Sequence, residues 1–375
     1  MHDYNFYSGN PDPITFPAQG LADAAARILP KLTEELVKYP DRNGYTPLRQ
    51  IAQERFQRNN GVELPLESIA IISGSFQGVS LATQTFIRQP GDVMICEEFT
   101  YMGSLGCFRK YGADLRGIPV EDDGMNMDIL EDTLADLERQ DKRPKFIYTI
   151  ATNQNPTGIM MSEAKRHRLL ELANHYQIPV VDDDCYADLV FERNAPPSLY
   201  SLDPEHVIYI GSFSKILGPG VRMGYMSAGP DLLNKMLFWK IDGGSNNLAA
   251  AVAAEYLREH LWEHVDDVNN VVEEKLNLLM QGLDANKDAF PWHSVPKGGL
   301  FIWVKLPEDI DVHKLKEIAD SHHVLYATGK QFHAGNEDVK YLRLAYGYAS
   351  LDDIREGVPM LADCVREAMK LTVAP

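Results

Sequence analysis

A chain of 375 residues, 45% apolar and 24% charged, has room for two domains and the composition of an ordinary globular protein. Its formal charge of -18 excludes the basic face that nucleic-acid binding requires, and equally a polybasic membrane anchor. No apolar run reaches membrane-span length, the start MHDYNFYSGNPDP lacks a secretory leader's regions, and four cysteines (Cys96, Cys107, Cys185, Cys364) form no CxxC, which predicts reduced thiols and a cytoplasmic location.

Taken in chain order, residues 1–40 are rich in proline and glycine and predict an arm that joins or crosses domains. Short β-branched runs then alternate with helical patterns. The expected strands are IAII (69–72), DVMIC (92–96), KFIYTI (145–150), IPVVD (178–182), HVIYI (206–210) and RMGYMS (222–227). Between them, SEAKRHRLLELANHY (162–176) carries apolar residues at helical spacing, and Ser162 and Glu163 suit its start. Such alternation predicts an α/β fold whose mostly parallel sheet is covered on both faces. From about residue 247 two long helices are expected, NNLAAAVAAEYLREHLWEHV and NNVVEEKLNLLMQGLDANK. After them come GGLFIWVKLP, a helix near 311–321, the strand KYLRLAY (340–346) and a closing helix. The boundaries expected are an arm over 1–40, a large domain over 41–270 and a small α+β domain over 271–375.

In a parallel sheet, the loops at the carboxyl ends of strands carry the site, and each notable motif falls there. SGSFQG (73–78) opens a helix after IAII, so its backbone N–H groups and helix dipole favour an anion, although an ordinary capped helix reads the same way. ATNQNPTG (151–158) is a turn-former that also sets Asn155 where it can donate to a ligand oxygen. VVDDDCYADL (180–189) delivers Asp182, Asp183 and Asp184 to one end of the sheet. There a cation or a protonated base is their natural partner, and the pattern is poor for a transition metal. No base near Cys185 supports its use as a nucleophile. GSFSKILGPGVR (211–222) supplies Ser212, Ser214, Lys215 and Arg222, with hydroxyls and a guanidinium suited to phosphate beside a lysine able to form a Schiff base. An anion site, a carboxylate, a phenol, an amide and such a lysine together match pyridoxal 5'-phosphate.

In this order, SGS, EEFTYMG, NQNPTG, DDDCYADL, SFSKILGPGVR and YLRLAY resemble the fold-type I, class I/II pyridoxal phosphate-dependent aminotransferases over nearly the whole chain, most of all the 2-aminoadipate and kynurenine branch. The resemblance implies a three-layer, mostly parallel, seven-stranded sheet in a large cofactor-binding domain with a smaller α+β domain. It implies that Lys215 forms the internal aldimine and moves the proton at Cα, that Asp183 keeps the pyridine nitrogen protonated, and that Asn155 and Tyr186 bond the 3'-oxygen. Tyr101 matches the residue stacked on the ring. Gly74, Ser75, Ser212, Ser214 and Arg222 match the phosphate cup, with the Phe76 backbone N–H beside them. Tyr45 matches a tyrosine reaching the phosphate of a neighbouring subunit, which implies a homodimer with shared sites. Arg343 matches the arginine that forks onto the substrate's α-carboxylate; alternation puts Leu342, Leu344 and Tyr346 on the other face. By position alone, Asn10, Ile14, Asn246, Asn247, Lys330 and His333 are candidates for the side-chain pocket, and Thr328 for its mouth.

The activity so implied is transfer of an amino group between an L-amino acid and a 2-oxo acid. Phe76 where the branch often has Gln, the ATGKQFHA turn (327–334) and the small, polar DGGSNNLAA segment (242–250) leave a second reading open. In that reading the same fold and cofactor carry out elimination, replacement, decarboxylation or oxidative deamination. A sensor domain of a transcription regulator would need a preceding winged helix, for which the first forty residues are too few and too acidic.

Overall fold

The computed structural model describes residues 2–191 and 195–373. Seven strands form the main sheet: β1 (Ile69–Ile72), β2 (Val93–Glu97), β3 (Asp114–Ile118), β4 (Ile147–Thr149), β5 (Val180–Asp184), β6 (Val207–Ser212) and β7 (Gly224–Ser227). Their order across the sheet is β1-β7-β6-β5-β4-β2-β3. All neighbours run parallel except β7, which is antiparallel to both β1 and β6. All but the edge strand β3 are buried on both faces, and β1, β2, β4, β5 and β6 carry β-branched residues. Ile69 and Ile71 of β1 enter one core cluster while Ala70 and Ile72 enter the other, so a single strand feeds two layers of helices.

One strand of the main sheet was not expected from the sequence. The edge strand β3, DLRGI, carries Arg116 and Gly117 and is mostly half-buried, so it shows neither alternation nor a β-branched run; its pairing with β2 makes it a strand.

The two long helices expected after residue 246 are one, Asn247–Asp284. The Asp266–Asn270 stretch looked like a break, but it holds no glycine or proline. Asn269 turns its amide back onto the Val265 carbonyl at 3.0 Å and across to the Asp188 carbonyl at 2.8 Å. The first half of the helix (Ala250, Leu257, Val265) packs on one core and the second half (Val272, Leu276, Leu283) on the other. Residue 270, the expected domain boundary, therefore lies inside one continuous element.

A second, antiparallel sheet follows, with strands β8 (Trp292–His293), β9 (Phe301–Lys305), β10 (Ala327–Thr328) and β11 (Tyr341–Ala345) in the order β8-β9-β11-β10. The N-terminal arm belongs with it. Tyr4–Asn5 pairs in parallel with Val324–Leu325, and Phe6 exchanges backbone bonds with Leu325 and Ala345 at 2.8 Å. Beyond Phe6 the arm crosses to the carboxyl ends of the main strands. Among the described residues no helix is long and apolar enough to cross a membrane.

Candidate active site

Five strand ends converge on a cavity of about 330 Å³ between the two sheets. The turn after β1 lies at its floor. Gly74 is the N-cap of the helix Ser75–Phe86 with φ +84°, and a Cβ there would stand 2.7 Å from the Arg222 guanidinium. Only glycine lets that guanidinium close over the helix N-terminus. Arg222 is fixed by donating to the Ser73 carbonyl at 2.7 Å. The Ser212 hydroxyl accepts the Ser214 N–H at 3.0 Å, and both serines face the cavity. Exposed amides, a guanidinium and two hydroxyls make a phosphate-sized anion cradle.

At the end of β5 the three consecutive aspartates part company. Strand alternation sends Asp182 and Asp184 behind the sheet, where Leu199 N–H and the Tyr209 hydroxyl donate to them and Arg166 lies near. Only Asp183 lines the cavity. It is buried and accepts two neutral donors, the Tyr148 hydroxyl at 2.7 Å and the Cys185 thiol at 2.8 Å. Burial raises its pKa, opposed by the Cys185 and Tyr148 donors and the Lys215 charge, and among the described residues it has no ion-pair partner. Burial also pushes the Cys185 thiol up, so it remains a protonated donor rather than a nucleophile.

After β6 comes Lys215. Its Nζ donates to the Gly9 carbonyl at 2.8 Å, lies 5.5 Å from the Tyr186 ring centroid and meets no carboxylate within ion-pair distance among the described residues. Burial lowers its pKa, which favours the neutral, nucleophilic amine. Gly9 must come close for this bond: a Cβ there would stand 2.8 Å from the Phe301 ring.

Arg343 enters from β11, paired between Trp303 and Ala327. Leu342 and Leu344 go to the core, while the guanidinium lies 4.3 Å from the Phe301 ring centroid in the cavity. It donates to two neutral oxygens, Asn155 Oδ1 at 3.2 Å and the Tyr7 carbonyl at 2.5 Å, and its Nε has no partner. Burial pushes its pKa down to about 10, still charged at neutral pH. A buried guanidinium with no carboxylate beside it, among the described residues, is a vacancy for an anion. Because Asn155 spends its oxygen on Arg343, its NH₂ group is left to donate to a ligand.

Asn10, Ser75, Phe76, Tyr101, Asn155, Asp183, Tyr186, Ser212, Ser214, Lys215, Arg222 and Arg343 thus share one cavity. Tyr45 does not line it; it caps the helix Thr46–Asn60, half-buried. Of the other positional candidates none lines this cavity. Ile14 is exposed, Asn246 caps the long helix, and Asn247 keeps a buried oxygen without a partner. Lys330 pairs with Asp338, His333 lies against Phe99 and Glu98, and Thr328 caps a turn. Tyr7 and Gly9 of the arm and Phe301 of β9 were missed, since no local pattern marks a residue that meets its partner only in the fold.

The family model for aminotransferase class I and II matches residues 4–358. The chain belongs to the class I and II aminotransferases. Among this aminotransferase's relatives, it is 34% identical over 367 residues to aromatic-amino-acid aminotransferase 1 of Thermococcus litoralis, covering 96% of this chain and 88% of that one. It is 32% identical to the 2-aminoadipate transaminase of Thermus thermophilus over 98% of this chain and 91% of that one. A crystal structure of the alpha-aminoadipate aminotransferase of Thermus thermophilus, complexed with N-(5'-phosphopyridoxyl)-L-leucine, superposes with a TM-score of 0.90 at 32% identity, over 98% and 93% of the two chains. The aminotransferase therefore has the fold-type I architecture of that enzyme.

Proposed function

We propose that this aminotransferase uses pyridoxal 5'-phosphate to move the amino group of an L-amino acid to a 2-oxo acid. The observation that carries this is the convergence of a half-buried Lys215 amine whose pKa is lowered by desolvation with an anion cradle, a buried carboxylate and a guanidinium that has no carboxylate partner among the described residues, all in one cavity. The residues present fit the cofactor. The Gly74 cradle and Arg222 suit its phosphate, Asp183 suits a protonated ring nitrogen, and the Asn155 amide and Tyr186 phenol suit the ring oxygen. When bound, pyridoxal phosphate supplies a carbonyl that takes up the amino group and a ring that accepts the electrons released at Cα.

The chain's own residues do the rest. Lys215 would hold the cofactor through its amine and, once free, would take and return the Cα proton as general base and acid. Arg343 would clamp the α-carboxylate bidentately and so fix the orientation of the bonds at Cα. Tyr101, at the N-terminus of the helix Met102–Lys110, lines the cavity where it would cover the ring. The second reading, another reaction at Cα, is separated by one experiment. Given amino donors and no oxo acid, the loaded enzyme should stop after a single half-turnover, and donors lacking the α-carboxylate should react far more slowly. Sustained turnover would rule out transamination as the main reaction; indifference to the carboxylate would remove Arg343 from its role.

Tyr45, outside its own chain's cavity, fits the site of a second copy. Val37, Tyr39, Phe238 and Ile241 are 79%, 90%, 69% and 90% exposed, and Tyr39 lies beside Gly243, which supports a covered surface there. A homodimer is the expected species in sedimentation; a fully active monomer would exclude shared sites.

A further inference from the structure

The carboxylate of Asp183 is held by a relay that runs out of the cavity. Ser104 Oγ, on the helix Met102–Lys110, donates to the Tyr148 hydroxyl at 3.0 Å, and that hydroxyl donates to Asp183 Oδ2 at 2.7 Å. Tyr148 lies on β4, directly opposite Val181 of β5, and its ring packs edge-on against Phe108 with centroids 5.2 Å apart. Tyr148 and Ser104 are 0% exposed, so no water can take over either bond. On the other oxygen sits the Cys185 thiol at 2.8 Å. Neither Tyr148 nor Ser104 lines the cavity.

We propose that Tyr148, polarised by Ser104, is a positioning residue that keeps Asp183 a weak enough base for the proton to stay on the ring nitrogen of the bound cofactor. The inference rests on the cofactor reading above and deepens it. A donor to the charged form of a carboxylate lowers its proton affinity. Both the Cys185 thiol and the Tyr148 phenol do so here, and the thiol is the intrinsically weaker donor. Burial drives Asp183 the opposite way, toward taking the proton itself. The relay opposes that drift. It also fixes the carboxylate plane, because Oδ1 and Oδ2 are each anchored by a different element, and the lone pairs that remain are those that can face the cavity. Ser104 follows Tyr101 by one helical turn, so the element that covers the ring also carries the start of the relay.

The test uses full-length protein reconstituted with pyridoxal phosphate isotopically labelled at the ring nitrogen, read by nitrogen NMR, together with cofactor affinity by equilibrium dialysis. Wild type should give the protonated-nitrogen resonance. Tyr148→Phe, which keeps the ring packed on Phe108, should move that resonance toward the neutral-pyridine position and weaken cofactor binding about tenfold, the scale of one charge-assisted hydrogen bond. Ser104→Ala should shift it the same way by less, and should add nothing in the Tyr148→Phe background. A wild-type resonance that is protonated and unmoved by Tyr148→Phe overturns the inference and leaves the cofactor reading intact, as does a Ser104→Ala effect that persists without the tyrosine hydroxyl. If Tyr148→Phe does not fold, a Ser104→Ala resonance identical to wild type overturns it alone. A wild type that binds no cofactor brings down both.

Discussion

Lys215→Ala is expected to yield a folded protein that still binds pyridoxal phosphate but lacks the visible absorbance of a lysine-linked cofactor, with turnover lower by at least about 10²–10⁴-fold, the range that positioned proton transfer supplies by itself. The loss should be this large because the cavity offers no substitute. Its other cations, Arg222 and Arg343, are guanidiniums, which do not give up a proton to act as bases. Asp183 and Cys185 already bond each other on the floor. The Lys215 side chain is half-buried and, among the described residues, makes a single hydrogen bond, to Gly9, so its truncation removes function with little structural cost. Absorbance spectra and peptide mapping after borohydride reduction check the result. A variant that keeps the visible band, or a reduced adduct on another lysine, would overturn the assignment of Lys215.

Much of this site was legible because its parts sit in short motifs that follow strands. SGSFQG, DDDCYADL and GSFSKILGPGVR each deliver side chains to the same end of the sheet, and parallel strands bring those ends together whatever lies between. What was not legible depends on contacts across hundreds of residues. Gly9 accepts from Lys215 and Tyr7 accepts from Arg343 through backbone carbonyls, which any residue type possesses, so no side-chain signal announced them. The triple aspartate was ambiguous for a different reason. Proximity in sequence suggested one shared cluster, whereas the period of the strand sends alternate residues to opposite faces and leaves Asp183 alone in the cavity. Two helices were expected where one runs unbroken, and at the junction Asn269 donates to the Val265 and Asp188 carbonyls.

Asp183→Ala is expected to leave some cofactor bound through its phosphate and Lys215, while slowing Cα deprotonation by about 10²–10⁴-fold. That range is the rate equivalent of the roughly 3–5 kcal/mol lost when one partner of a buried charge pair is removed. Among the described residues Asp183 is the one carboxylate lining the cavity, since Asp182 and Asp184 are turned behind the sheet toward Leu199 and Tyr209. Without an acceptor for its proton, the ring nitrogen stays neutral and draws electrons from Cα poorly. The phosphate cradle at Gly74 and Arg222 lies on a different loop and is untouched, so affinity should fall less than rate. Tyr148 and Cys185 lose an acceptor each, and apo-protein melting measures that separate structural cost. Isotope effects on the Cα–H bond make the distinction sharp: the effect should grow as deprotonation becomes limiting. Near-normal rates with an unchanged isotope effect would show that the ring draws its proton from elsewhere, and would remove Asp183 from the mechanism.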